Sequence, residues 1–266
     1  MKIKTMKVWL CLLFFVAATN VAVAQSKPKT PTFVLVHGAW HGGWCWQPVT
    51  TRLQATGSIV YTPTLSGLGE YKHQLSSSID LNTHINDIVH FIEMQDLSEV
   101  ILVGHSYAGA VIAGVADRIP GRLKKLVFLD ALLIENGKSL SDYLPKEMRE
   151  ERKRQAAMTK GLSIPPLPAS IFGVKDLATR KWVDERLTPQ PYRSFTQPLI
   201  LKHPFGNKLP LIYVACLDEQ LSVLKQFDEK TRNNKDWEFY SLDTGHDAMI
   251  TAPDQLATLL LRINTP

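Results

Sequence analysis

Apolar residues recur along this chain in two alternating rhythms. Short β-branched runs predict strands: FVLVH at 33–37, SIVYTPTL at 58–65, EVILVGH at 99–105, LKKLVFLDA at 123–131, LPLIYVACL at 209–217 and WEFYSL at 237–242. Several lack polar alternation, as strands buried on both faces do. Between them, apolar positions fall at helical spacing. WQPVTTRLQAT at 46–56 and SYAGAVIAGVADRI at 106–119 predict two helices. A third over 78–95 carries Ile79, Ile85, Ile88, Val89 and Ile92 on one face, with Ser78 or Asp80 as its cap. A fourth, APDQLATLLLRI at 252–263, has proline near its first turn. Strands alternating with helices predict the α/β class: a mostly parallel central sheet with helices on both faces.

Residues 131–200 break this rhythm: no strand-like run, but charge, proline and helical pattern. They read as a helical cap inserted between two sheet strands. A cap over the carboxyl edge of a parallel sheet makes a covered pocket there. Within it, KEMREERKRQ at 146–155 mixes both signs and reads as a solvated helix face.

The N-terminus follows neither rhythm. Lys2, Lys4 and Lys7 precede an apolar run from Val8 to Ala18, then Ala22-Val23-Ala24 before Gln25. The run is short for a bilayer, and the small residues form a cleavage site. Residues 1–24 are thus expected to be a secretory signal peptide and 25–266 a single domain carrying the cap. The expected location is the periplasm or the medium, with no stable membrane anchor after cleavage. Without the three lysines the formal charge of +5 falls to +2, so basicity is no argument for a nucleic-acid partner. A hydrophobic content of 45% with 21% charged residues is ordinary for a soluble globular domain. The remaining cysteines, Cys45 and Cys216, make no disulfide framework. His37 and His41 are four apart in a Gly-rich loop rather than on a helix, so no metal is expected.

The chemistry centres on VGHSYAG. Ser106 follows a predicted buried strand and opens a helix, a sharp turn that exposes the hydroxyl at the top of the sheet. Gly104, Ala108 and Gly109 supply the small neighbours such a turn needs; alanine stands where G-x-S-x-G has its second glycine. A serine hydroxyl is a weak nucleophile until a base takes its proton. His246, after the last strand in SLDTGHDAM, is in the right place. Its carboxylate partner should follow a strand lying between the two. Asp218, ending LIYVACLD, is the choice; Glu219 beside it and Asp130, ending LVFLD, are the alternatives. An oxyanion hole needs two backbone N–H groups, expected from Tyr107 and from Ala39 in the loop VHGAW. Gly38, Trp40 and Trp182 are expected to line a substrate pocket, to which Trp44 and Trp46 are further candidates.

At these residues the chain resembles the α/β-hydrolase family, and within it the branch of plant hydroxynitrile lyases, plant methylesterases and bacterial esterases. FVLVHGAWHGGWCW, LSGLGE, VILVGHSYAG, LVFLDALL, WVDERLTPQP and TGHDAMITAPDQLA carry the likeness. It implies an α/β-hydrolase fold, a Ser-His-Asp triad of Ser106, His246 and Asp218, and no cofactor. The lyases of that branch have threonine after the histidine of the first loop and lysine after the catalytic histidine. Here these are Gly38 and Asp247, and a carboxylate would oppose a developing cyanide anion. The expected activity is therefore hydrolysis of small to medium hydrophobic esters. Lyase-type addition–elimination and non-catalytic small-molecule binding are the alternatives. The oligomeric state is not legible.

Overall fold

The computed structural model describes residues 30–264, so the expected signal peptide lies outside the described residues. The chain runs β1 (Thr32–Val36), α1 (Gln47–Ala55), β2 (Ile59–Tyr61), α2 (Leu81–Met94), β3 (Val100–His105), α3 (Ala108–Arg118) and β4 (Leu123–Leu129). It continues with α4 (Lys146–Met158), β5 (Ser163–Ile164), α5 (Leu177–Asp184), β6 (Gln190–Pro191) and α6 (Arg193–Thr196). The last elements are β7 (Leu211–Cys216), α7 (Lys225–Arg232), β8 (Trp237–Leu242), α8 (Ala248–Thr251) and α9 (Pro253–Asn264). The main sheet has six strands in the order β2-β1-β3-β4-β7-β8, all parallel.

The continuous apolar runs are explained by burial on both faces. Along β1, Phe33 and Leu35 face one core with α1 and α9, while Val34 and Val36 face the other with α2 and α3. In β3, Ile101 and Val103 take the first side, Val100 and Leu102 the second, following the period of two of a strand. All six residues of β3, in the middle of the sheet, are buried, whereas none of β8, at its edge, is.

Several boundaries differ from the sequence expectation, each for a local reason. The strand expected over 58–65 ends at Tyr61, just before Pro63, and the Thr64 hydroxyl instead accepts from the Gly43 N–H at 2.8 Å. Asp80, not Ser78, caps α2, in a reciprocal pair with Thr83. The polar helix α7 was not foreseen. Residues 131–200 contain the two-residue strands β5 and β6, paired antiparallel, where no strand was expected.

Candidate active site

The turn from β3 to α3 holds Ser106 at φ +55°, a left-handed conformation a non-glycine residue adopts at a cost. Surrounding hydrogen bonds over-determine it. The Ser106 N–H donates to Leu129 O, and Ser106 O accepts from both Gly109 and Leu132, each at 3.1 Å. The small-residue requirement is literal. A Cβ on Gly104 would sit 2.7 Å from Ala108 O, and one on Gly109 would sit 2.3 Å from Leu132 O.

His246 lies between β8 and α8 and is 4% exposed. Its loop is seated on the segment between β4 and β7. The Asp247 N–H donates to Phe172 O at 3.0 Å, and a Cβ on Gly245 would sit 2.6 Å from Gly173 Cα, so the two backbones touch.

The carboxylate that meets His246 differs from the expectation. His246 Nδ1–H donates to Asp130 Oδ2 at 2.6 Å. Asp130 follows β4 directly at φ +42° and is fully buried. Its N–H donates to Val214 O at 2.7 Å, and its Oδ1 accepts from the Cys216 N–H at 3.1 Å. Asp218 is instead held outward by Lys175, whose ammonium donates to Oδ2 at 2.7 Å; its side chain is 36% exposed. The backbone explains this. Beyond β7 the Leu217 and Asp218 N–H groups donate to Leu242 O and Thr244 O, so the chain keeps running beside β8 and carries Asp218 past the histidine to solvent. Glu219 is more exposed still.

Ala39 and Tyr107 lie on the wall of the Ser106 cavity. The neighbouring Trp40 and Ser106 amides are engaged, by Gln190 Oε1 and Leu129 O, whereas those of Ala39 and Tyr107 have no such partner among the described residues. Both lie at starts of structure that favour an anion: a Gly-rich turn and the N-terminal end of α3.

A buried histidine set supports these two strips of backbone. The ring of His84 accepts from the Tyr107 hydroxyl at 2.8 Å and donates to Ser66 O at 3.0 Å. His37 donates to Gly38 O and accepts from the Leu65 N–H, so it is neutral; burial drives its pKa down to about 3. His105 donates to His246 O at 3.0 Å, and burial, with His246 and His41 close by, pushes its pKa well below the ordinary value. His41 goes the other way. Burial opposes its protonation, but the Asp247 carboxylate at 3.1 Å and Ala39 O at 2.8 Å outweigh it and raise its pKa. Both ring nitrogens of His41 face acceptors, so the protonated ring satisfies both.

That pair corrects one inference. Asp247 is fully buried against His41 and is not on the cavity wall, so it is no carboxylate facing a developing anion there. Gly38 is close to Ser106: a Cβ on it would sit 3.0 Å from Ser106 Cβ.

The cavity holding Ser106 and His246 measures about 140 Å³. Trp40 lines it together with Phe172 and Phe195, whereas Gly38 and Trp182 do not. Trp182 packs edge-on against Trp44 at 5.1 Å, in a separate cluster with Val183. Trp46 is fully buried in the sheet core. Much of the wall comes from residues 140–195, including Leu140, Leu144, Met148 and Arg152. A larger cavity of about 620 Å³, around His203 and Trp237, contains neither Ser106 nor His246. Among the described residues no group of three or more His, Cys, Asp or Glu side chains is arranged to hold a metal, and Cys45 and Cys216 are free thiols.

Residues 33–259 match the family model described as "Alpha/beta hydrolase family". The carbendazim hydrolyzing esterase of Nocardioides sp. strain SG-4G is 38% identical over 236 residues, covering 86% of this chain and 97% of that one. Putative methylesterase 13 of Arabidopsis thaliana is 32% identical over 254 residues; the match takes 89% of this chain and 56% of the plant protein. Among solved structures, an extracellular alpha/beta-hydrolase from a Paenibacillus species, described as sharing structural and functional homology with tobacco salicylic acid binding protein 2, superposes with a TM-score of 0.73 at 25% identity. That likeness covers 87% of this chain and 98% of that one.

Proposed function

Since the chain belongs to the alpha/beta hydrolase family, we propose that it is a serine carboxylic-ester hydrolase acting on small-molecule esters through Ser106, His246 and Asp130. The observation that carries this reading is the meeting in one cavity of a strained serine, a histidine held by a buried carboxylate and two unengaged amides.

Asp130 fixes His246 with its proton on Nδ1 and leaves the Nε2 lone pair for the serine proton. Ser106 Oγ then adds to the ester carbonyl carbon. The carbonyl electrons move onto oxygen, where the Ala39 and Tyr107 N–H groups receive them. The imidazolium formed is stabilised by Asp130. It returns its proton to the alcohol oxygen as the carbon–oxygen bond breaks, leaving an acyl-serine. Water, deprotonated by the same His246, attacks the acyl-serine, and Ser106 leaves with the proton. The apolar wall of Leu140, Leu144, Phe172 and Phe195 suits a small to medium hydrophobic group beside the carbonyl. The likeness to a carbendazim hydrolyzing esterase and a putative methylesterase supports a small ester as substrate. We further propose export to the periplasm or medium, on the signal-like residues 1–24.

Hydrolysis of p-nitrophenyl esters from acetate to octanoate tests the reading, with wild type beside Ser106→Ala. The expected loss of kcat is about 10⁴- to 10⁶-fold. Equal low rates in both proteins, with no labelling of Ser106 by a fluorophosphonate, would overturn it.

A further inference from the structure

Arg152 sits where the sequence pattern reads a solvated helix face, yet it is 6% exposed and lines the Ser106 cavity. Its guanidinium carbon lies 5.1 Å over the ring of Trp40. Stacking occupies the face of the group and leaves its in-plane donors available. One of these, on Nη1, donates to Gln155 Oε1 at 3.0 Å. No carboxylate among the described residues pairs with Arg152. The adjacent Glu151 is engaged by Arg154 and by Gln155 Nε2. The remaining wall is largely Leu, Met, Ile, Phe and Trp.

Glu151 attracts the buried guanidinium without pairing with it, and arginine is rarely buried unless paired. The folded protein already bears the desolvation of that group. An anion entering the cavity therefore meets a positioned fork of donors, and only its own desolvation remains. The guanidinium stays charged over the working pH range even though burial lowers its pKa.

We propose that Arg152 determines specificity and selects esters that carry an ionised carboxylate besides the scissile group. This rests on the ester-hydrolase reading and narrows it, from any hydrophobic ester to one with an anionic tail in an apolar sleeve.

Two matched series test it. The acyl series compares mono-p-nitrophenyl succinate, glutarate and adipate with p-nitrophenyl butyrate, pentanoate and hexanoate. The alcohol series compares 4-acetoxybenzoate with its methyl ester. The expected wild-type result is an anionic-to-neutral ratio of kcat/KM of about tenfold or more in at least one series, carried mainly by KM, since hydrogen bonds to charged groups are worth that much or more. Arg152→Met should lower that ratio about 10- to 100-fold, and Arg152→Lys should retain part of it. Melting curves show whether each variant is folded. Preference for the neutral ester in both series, or the same ratio in wild type and Arg152→Met, overturns the proposal and leaves Arg152 as a packing partner of Trp40. Turnover of the neutral esters that depends on Ser106 keeps the underlying reading intact in that case. If no ester is turned over, that reading fails. Carboxylate recognition is then read from the melting-temperature shift with glutarate: present in wild type and absent in Arg152→Met if correct, absent in both if not.

Discussion

Asp130 and Asp218 each follow a strand of the sheet, and their fates differ. Asp130 follows β4, is fully buried, and holds His246 at 2.6 Å. Asp218 follows β7, is partly exposed, and pairs with the more exposed Lys175. In sequence the two look alike: an apolar run, then Asp. What separates them is the next turn of backbone. At Asp130 the chain bends sharply at positive φ, turning the carboxylate into the molecule, where Cys216 N–H pins one oxygen and leaves the other to His246. At Asp218 the chain goes straight on beside β8. Which aspartate meets His246 follows from where the strand stops pairing, not from its place in the order serine, acid, histidine.

The largest expected effect comes from Asp130→Asn. It keeps the shape but favours the wrong histidine tautomer, so kcat for p-nitrophenyl acetate should drop by about 10⁴-fold, with KM little changed. A smaller loss would mean that another group orients His246.

Next is Asp247→Asn, which takes from the buried His41 the carboxylate that raises its pKa. Removal of one partner of such a pair destabilises by about 3–5 kcal/mol, read as a lower denaturation midpoint. The contrast with Asp130 is sharp if the folded variant keeps most of its turnover, because Asp247 touches the Ala39 loop only through His41.

The third test is the pH dependence of the melting temperature. In the unfolded chain His37 titrates near 6.5. Folded, burial holds it near 3. A lowered histidine pKa means stability that is complete above about pH 6.5 and lost as pH falls toward 3. Burial shifts His84 and His105 in the same direction. His41, raised, contributes below its unfolded value, and that contribution disappears as pH rises through its folded value. Three lowered rings against one raised predict a net steep fall on the acid side; a flat curve from pH 7 to 4 would refute the neutral assignments.

The smallest effect is expected for Asp218→Asn. An exposed ion pair contributes little, so the rate should stay within about twofold of wild type. A loss comparable to that of Asp130→Asn would reverse the comparison.

How much of this was legible follows the same division. The two-faced strands were readable because burial on both sides leaves an unbroken apolar run, as in VILV of β3. Ser106 was readable because the close backbone approach demands Gly104 and Gly109, and only such a turn demands them. His246 was readable from chain order. Its carboxylate partner was not, because more than one strand-end aspartate satisfies the same pattern and only the local backbone decides. Arg152 was not either, because α4 mixes charges all round and nothing in KEMREERKRQ marks which of them meets Trp40. The role of Asp247 needed a partner 206 residues away, His41, which no local signal supplies.

The most direct measurement is the proton spectrum of ¹⁵N-histidine-labelled protein, with Asp130→Ala and Asp218→Ala beside wild type. A short bond from His246 Nδ1–H to a buried carboxylate should give a resonance well downfield of the amides. The account predicts that this signal is present in wild type and Asp218→Ala and absent in Asp130→Ala. A signal that survives in Asp130→Ala and vanishes in Asp218→Ala would contradict it.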